Sequence, residues 1–153
     1  MSMNALELLE NLPISKGIAY KQLEEISKHC LILEYEKDEL VYSKDIRFHY
    51  IGLIIDGKVE YYFTDAVSKK SVHLGSFKKY PVGMFNFLEL KEEDVYIKAV
   101  EKTEILAINM QSLEELEMMF PFFTNKMYKS IISLQLSIIK RILSVITKLG
   151  KIH

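Results

Sequence analysis

The sequence predicts a mostly β domain: a compact roll of short strands with flanking helices, followed by one long C-terminal helix. Three observations predict it. Between Leu31 and Asn109, short runs rich in Ile, Val, Tyr and Phe alternate with polar breaks. Before and after that region the apolar spacing is helical. Finally, Phe122 to Leu149 contains neither Pro nor Gly. A chain of 153 residues suits one such unit and can bury a sizeable core.

Asn4 to Leu12 is the first helix candidate, with Asn4 as N-cap and Pro13 as stop. A second helix starts near Ala19 or Tyr20, with Leu23, Ile26 and Cys30 on its apolar face. The strand runs are 31–35, 40–42, 50–55, 58–63, 71–77, 95–100 and 105–109. Asp56-Gly57 separates two apolar runs and predicts a two-residue hairpin between them. Asp65 to Lys70 reads as a second hairpin loop, built without glycine. Helical spacing returns at Gln111, with Leu113 and Leu116 on one face, and Pro121 is suited to the first turn of a new helix. Gly150 is a natural terminator for it. Residues 1–120 therefore form helices and roll, and residues 121–153 a long helix within the same structural unit.

On a helical wheel the apolar residues of this last helix cover an arc of roughly 200°. A surface helix packing on a single core needs about half of that, so two contacts are expected, one with the roll and one with something else. Ile131, Gln135, Ile138, Ile142, Val145 and Leu149 follow the alternating four-three spacing of a coiled-coil seam. Homodimerisation through these six residues is the expectation.

Bulk properties exclude several classes. The net charge of -1 gives no general attraction to nucleic acid or to an anionic membrane. No apolar run reaches the ~20 residues of a membrane span, and Met1 to Leu12 lacks the form of a signal peptide. The single cysteine, Cys30, fits a reducing compartment, and the expected location is the cytoplasm. His29, His49, His73 and His153 are scattered, and no HxH, HExxH or CxxC pattern appears. No catalytic residue, metal ligand set or cofactor is nominated. His73 alternates with Val72 and Leu74; turned inward, with His49, it would be the start of a small cupin-like metalloenzyme site.

The order of these elements resembles the effector domain of the Crp/Fnr family of transcription regulators, a cyclic-nucleotide-binding-like double-stranded β-helix of the jelly-roll kind with a long dimerisation helix. The resemblance rests on Ile51 to Val59 (IGLIIDGKV), on Gly83, on Ile97 to Leu106, and on Pro121 with its helix. It implies a roll that senses a small molecule, a dimer, and no enzyme activity. DNA would be bound only through a helix-turn-helix module following the long helix. That module is not in this sequence, which reaches His153 about where a hinge into it would begin.

In cyclic-nucleotide binders of this family a Gly-Glu pair starts the phosphate cassette and a later Arg pairs with the cyclic phosphate. Gly83 matches the glycine, but Met84 stands at the Glu, and Glu93 falls near the place of the Arg. A carboxylate facing a buried phosphate is repulsive, so cAMP or cGMP binding in the usual manner is not expected. Met84, Phe85, Asn86 and Tyr96, with Gly83 and Glu93, are the ligand-pocket candidates, either lining a cavity for another effector or filling a collapsed core. Asp38, Lys44 and Lys79 stand at turn positions where relatives carry glycine. A stand-alone protein-interaction module is the alternative function.

Overall fold

The computed structural model describes residues 3–43, 50–64, 67–78, 81–82 and 95–150. Two helices open the chain, α1 (Ala5–Glu10) and α2 (Tyr20–Ser27), with a 3₁₀ turn, Pro13–Ser15, between them. Asn4 caps α1, its side chain accepting from the Glu7 N–H at 2.9 Å. Eight strands follow: β1 (Cys30–Tyr35), β2 (Leu40–Tyr42), β3 (Tyr50–Asp56), β4 (Val59–Thr64), β5 (Ser71–Phe77), β6 (Pro81–Val82), β7 (Val95–Ala99) and β8 (Thr103–Asn109). Then come α3 (Leu113–Met119) and α4 (Pro121–Gly150), which at 1.5 Å per residue is about 45 Å long. The predicted runs differ from the observed strands by at most two residues at either end. The short β6 has no counterpart among them, since a single Pro-Val pair carries no period.

The strands form two antiparallel four-stranded sheets, ordered β1-β8-β3-β6 and β2-β7-β4-β5. Successive strands change sheet at nearly every step; β4 and β5 are the one consecutive pair that stay together. This alternation is the double-stranded β-helix. It corrects one expectation. Ile54 to Val59 is not a hairpin, because β3 belongs to the first sheet and β4 to the second. Only Gly57 takes a positive φ, at +96°, and Asp56 does not. The reason lies in the outward faces of the two runs. Ile51 and Leu53 point to an apolar helix layer, whereas Glu60 and Tyr62 point to solvent. In one sheet these faces would share a side, so the chain turns a corner instead.

The second predicted hairpin is present. β4 and β5 pair from Val59↔Phe77 to Thr64↔Ser71, and Lys69 adopts φ +60° where glycine is absent. Asp38 likewise stands at φ 72°, a conformation that Asp tolerates better than most residues. Its N–H donates to Ala99 C=O at 2.7 Å, and Ala99 N–H donates to Glu39 C=O at 2.9 Å. Lys44 and Lys79 lie outside the described residues.

Two cores result. The roll interior holds Val41, Tyr42, Ile54, Val59, Tyr61, Leu74, Phe77, Ile97, Ala99 and Ile105. The outer face of the first sheet, through Ile51, Leu53, Leu106 and Ile108, packs against Leu9, Leu23, Ile26, Leu113, Leu116, Phe120, Phe123, Met127 and Ile131 of the helices. The first sheet is thus covered on both sides, which explains the unbroken burial of Ile51–Ile54 and Ile105–Ile108. Cys30 is part of the helix-layer packing, its thiol against Ile26 C=O at 3.3 Å, and burial pushes its pKa up to about 12. It is a packing residue and a poor nucleophile.

The β3–β4 corner presses on the β7–β8 corner. A Cβ on Gly57 would stand 2.5 Å from Lys102 O and 2.6 Å from Thr103 Cα. The buried Thr103 hydroxyl accepts from Lys58 N–H at 3.2 Å and donates to Glu101 C=O at 2.8 Å. Val100 N–H donates to Lys58 C=O at 3.0 Å. Gly17, also at positive φ (+87°), has only the Phe122 ring 3.7 Å from its would-be Cβ. Gly57→Ala is therefore expected to destabilise by at least about 2 kcal/mol, and Gly17→Ala by only about 1 kcal/mol, in urea denaturation.

Candidate functional site

α4 presents three different sectors. One faces the protein: Phe123 and Met127 are fully buried and Ile131 is 3% exposed in the helix-layer core, while Ile138 packs against the roll-interior core. A second sector is apolar and bare: Ile132 is 53%, Leu136 53%, Ile139 50% and Leu143 57% exposed. The third is polar, with Lys129, Lys140, Arg141 and Lys148 exposed and no Asp or Glu between Pro121 and Gly150. Ser133, Ser137 and Thr147 share that sector, their hydroxyls turned back to the carbonyls four residues earlier at 2.8–3.1 Å.

The start of α4 is fixed to the rest of the chain. Lys126 Nζ donates to Lys16 C=O and lies 4.6 Å from the centroid of the Phe122 ring. Tyr128 hydrogen-bonds Glu117 of α3, and burial, then that bond, raises the Tyr128 pKa. Thr124, buried, donates back to Phe120 and Pro121 carbonyls. The exposed stripe is consequently held by a rigidly seated helix.

This arrangement leaves only part of the expected seam open. Ile131 and Ile138 are taken by the protein's own cores, and Gln135 is half-buried. The side chains of Ile142, Val145 and Leu149 lie outside the described set. The exposed residues Ile132, Leu136, Ile139 and Leu143 keep the same four-three spacing. Wheel periodicity alone fits either row. What it lacks is the position of the protein's own cores, which cover Ile131 and Ile138.

Of the ligand-pocket candidates, Gly83, Met84, Phe85, Asn86 and Glu93 lie outside the described residues. Tyr96 is described, and it stands on the outer face of the second sheet. Its ring stacks on Tyr62 with centroids 4.9 Å apart and planes at 14°, and its hydroxyl donates to Ser71 Oγ at 2.9 Å. The inward positions on β7 belong to Ile97 and Ala99. Tyr96 therefore does not point into the roll, and neither does His73, which meets the Tyr62 ring edge-on at 5.4 Å. His49 lies outside the described residues. Among the described residues no three His, Cys, Asp or Glu side chains converge to hold a metal.

A β-bulge builds this outer cluster. Tyr61 pairs with Gly75 but Tyr62 pairs with His73, so Leu74 is the extra residue. The bulge brings His73 and Ser76, which a regular strand would place on opposite faces, to the same side. His73 Nε2 lies 3.2 Å from Ser76 Oγ, and Ser76 Oγ donates to Glu60 Oε1 at 3.1 Å, with His73 Nε2 3.8 Å from that oxygen. Tyr62 donates to the same carboxylate. That bond foremost, then the one from Ser76, holds the Glu60 carboxyl below the usual range, and the Tyr62–Glu60 bond in turn pushes the Tyr62 hydroxyl up to about 12. The set is internally satisfied and stiffens the β4–β5 pair.

The comparisons with known proteins bear on what these sectors serve. No protein-family model matches the sequence, and no curated protein does. Solved structures do match. The catabolite activator protein of Thermus thermophilus superposes with a TM-score of 0.67 at 18% identity, over 88% of this chain and 63% of that one. This is the effector-domain fold of the Crp/Fnr regulators. A mutant of CooA from Carboxydothermus hydrogenoformans has the same fold, with a TM-score of 0.65 at 17% identity over 97% of this chain and 90% of that one. So does a cyclic nucleotide-binding domain from Methylobacillus flagellatus, at 0.69 and 13% identity over 94% of this chain and 82% of that one. The chain spans 63% of the length of the Thermus protein.

The outer cluster generates a prediction. The lowered Glu60 pKa contributes stability that is present above the ordinary carboxylate pKa and is lost as pH falls through the lowered folded value. Tyr62→Phe removes the principal donor. In a carboxyl-detected NMR titration the Glu60 midpoint of this variant is expected to move up toward the ordinary Glu value, with the fold intact.

Proposed function

We propose that this chain is the ligand-sensing, dimer-forming part of a Crp/Fnr-type transcription regulator, acting in the cytoplasm by binding and not by catalysis. The observation that carries the reading is the bare stripe Ile132, Leu136, Ile139 and Leu143 on a helix already seated on its own cores, in a fold shared with a catabolite activator protein. No helix among the described residues is long and apolar enough to cross a membrane, which leaves a second chain as the natural cover for the stripe. Burying the exposed half of each of these side chains contributes about 1 kcal/mol. Two helices together gain about 8 kcal/mol, of the same order as the cost of association. The equilibrium then lies in the concentration range that sedimentation resolves.

The effector is a small molecule other than cAMP or cGMP bound in the usual manner. Met84 in place of the ribose-binding carboxylate, and Glu93 near the position of the phosphate-binding arginine, support this. A cyclic phosphate there would face a carboxylate where it needs a cation. DNA would be reached through a helix-turn-helix module beyond α4, with the helix pair setting the distance between the two readers.

Two measurements test the proposal. Sedimentation velocity at micromolar concentration is expected to show an associated species, and Leu136→Glu with Ile139→Glu to yield the monomer. A wild-type chain that stays monomeric would remove the main support. Calorimetric titration with cAMP and with cGMP is expected to give no saturable heat; tight binding of either would refute the effector argument.

A further inference from the structure

The polar sector of α4 differs from an ordinary wet helix face. Such faces mix both charges, with acidic and basic residues pairing three or four positions apart. Here Lys129, Lys140, Arg141 and Lys148 are exposed and the helix carries no Asp or Glu. None of the ion pairs among the described residues involves any of the four. On the helical wheel they fall into two rows. Lys129 and Lys140 lie about 40–60° to one side of Ser144, toward the stripe, and Arg141 and Lys148 as far to the other side, toward the buried sector. Ser133, Ser137 and Ser144 run between the rows, and the Ser133 and Ser137 hydroxyls are folded back onto carbonyls of the helix. The face is a low line of small side chains between two rows of long cations, about 28 Å from Lys129 to Lys148.

We infer that this face binds the phosphate backbone of duplex DNA. The inference takes the choice of DNA from the proposed regulator, and adds a contact separate from any reader beyond α4. A phosphate strand laid along the serine line is reached by cations from both sides, and each neutralised phosphate releases counterions. The small side chains let a bulky backbone approach the helix closely. Between Lys129 and Lys148 the sequence has no aromatic residue, so nothing on this face stacks on the unpaired bases of a single strand. An anionic bilayer fits less well, because a helix lying in a bilayer gives its apolar stripe to the lipid, and here the stripe is assigned to a second chain. Contacts to phosphate alone make the binding independent of base sequence.

Fluorescence anisotropy of the full chain with a labelled DNA duplex of arbitrary sequence tests this. At low salt, saturable binding is expected, and for four phosphate contacts log K falls against log salt with a slope of about −3.6. Lys129→Gln, Lys140→Gln, Arg141→Gln and Lys148→Gln together are expected to weaken binding at least about tenfold, with circular dichroism unchanged and self-association retained. No binding by the wild type, equal binding by the variant, or tighter binding of a single strand overturns the inference. So does a variant that becomes monomeric where the wild type associates, since the cations would then be holding the acidic body of a second copy. Capture of the wild type on phosphatidylserine vesicles at a salt concentration that releases the duplex assigns the face to lipid, and also overturns it. A wild-type monomer that binds duplex through these four cations supports the inference while removing the proposed self-association.

Discussion

Gly57 and Thr103 sit where the chain passes between sheets in opposite directions. β3 leaves the first sheet through Asp56-Gly57, and β7 leaves the second through Glu101-Lys102. The two corners lie against one another with no room for a Cβ, and the Thr103 hydroxyl bridges them. This contact sets the register on both sides. β8 can then lie between β1 and β3, presenting Ile105 to the roll and Leu106 and Ile108 to the helices. The helix layer in turn seats Phe123, Met127 and Ile131, so the direction of α4 follows from the corner geometry.

With α4 fixed in this way, its exposed sectors become properties of the fold. β5 is the outer strand of the second sheet, and its inward residues Leu74 and Phe77 belong to the core that receives Ile138. The bulge at Leu74 does two things at once. Inward it supplies the roll core; outward it assembles Glu60, Tyr62, His73 and Ser76 into one hydrogen-bonded set.

Much of the fold was legible in the sequence because its strands carry burial patterns tied to their layer. Ile51 to Ile54 and Ile105 to Ile108 read as continuous apolar runs because both faces are covered; Val59 to Phe63 alternates because one face is wet. Asp56-Gly57 announced a turn correctly and its use wrongly. Local residue types specify that the chain reverses, while the outward faces of the flanking runs decide whether it stays in one sheet. Asp38 and Lys69 show the converse, left-handed positions filled without glycine. On α4 the four-three spacing was legible but not which residues the body of the protein covers, since the wheel carries no record of where the helix attaches. Tyr96 was misplaced for a related reason: alternation on β7 assigns two faces but does not say which is inside.

The segregation of charge on α4 has a consequence for how copies meet. All 21 carboxylates lie before Pro121, and residues 121–153 carry six of the 20 cations, so a nearly neutral chain divides into a body of -7 and a terminal segment of +6. Such a molecule has a large permanent dipole. At long range two copies attract helix to body and repel helix to helix. In the proposed self-association the first encounter would therefore be crosswise, and the alignment of stripes would be reached by rotation within an already captured pair. Association would be limited by that rotation rather than by diffusion, and added salt would slow the capture while easing the turn.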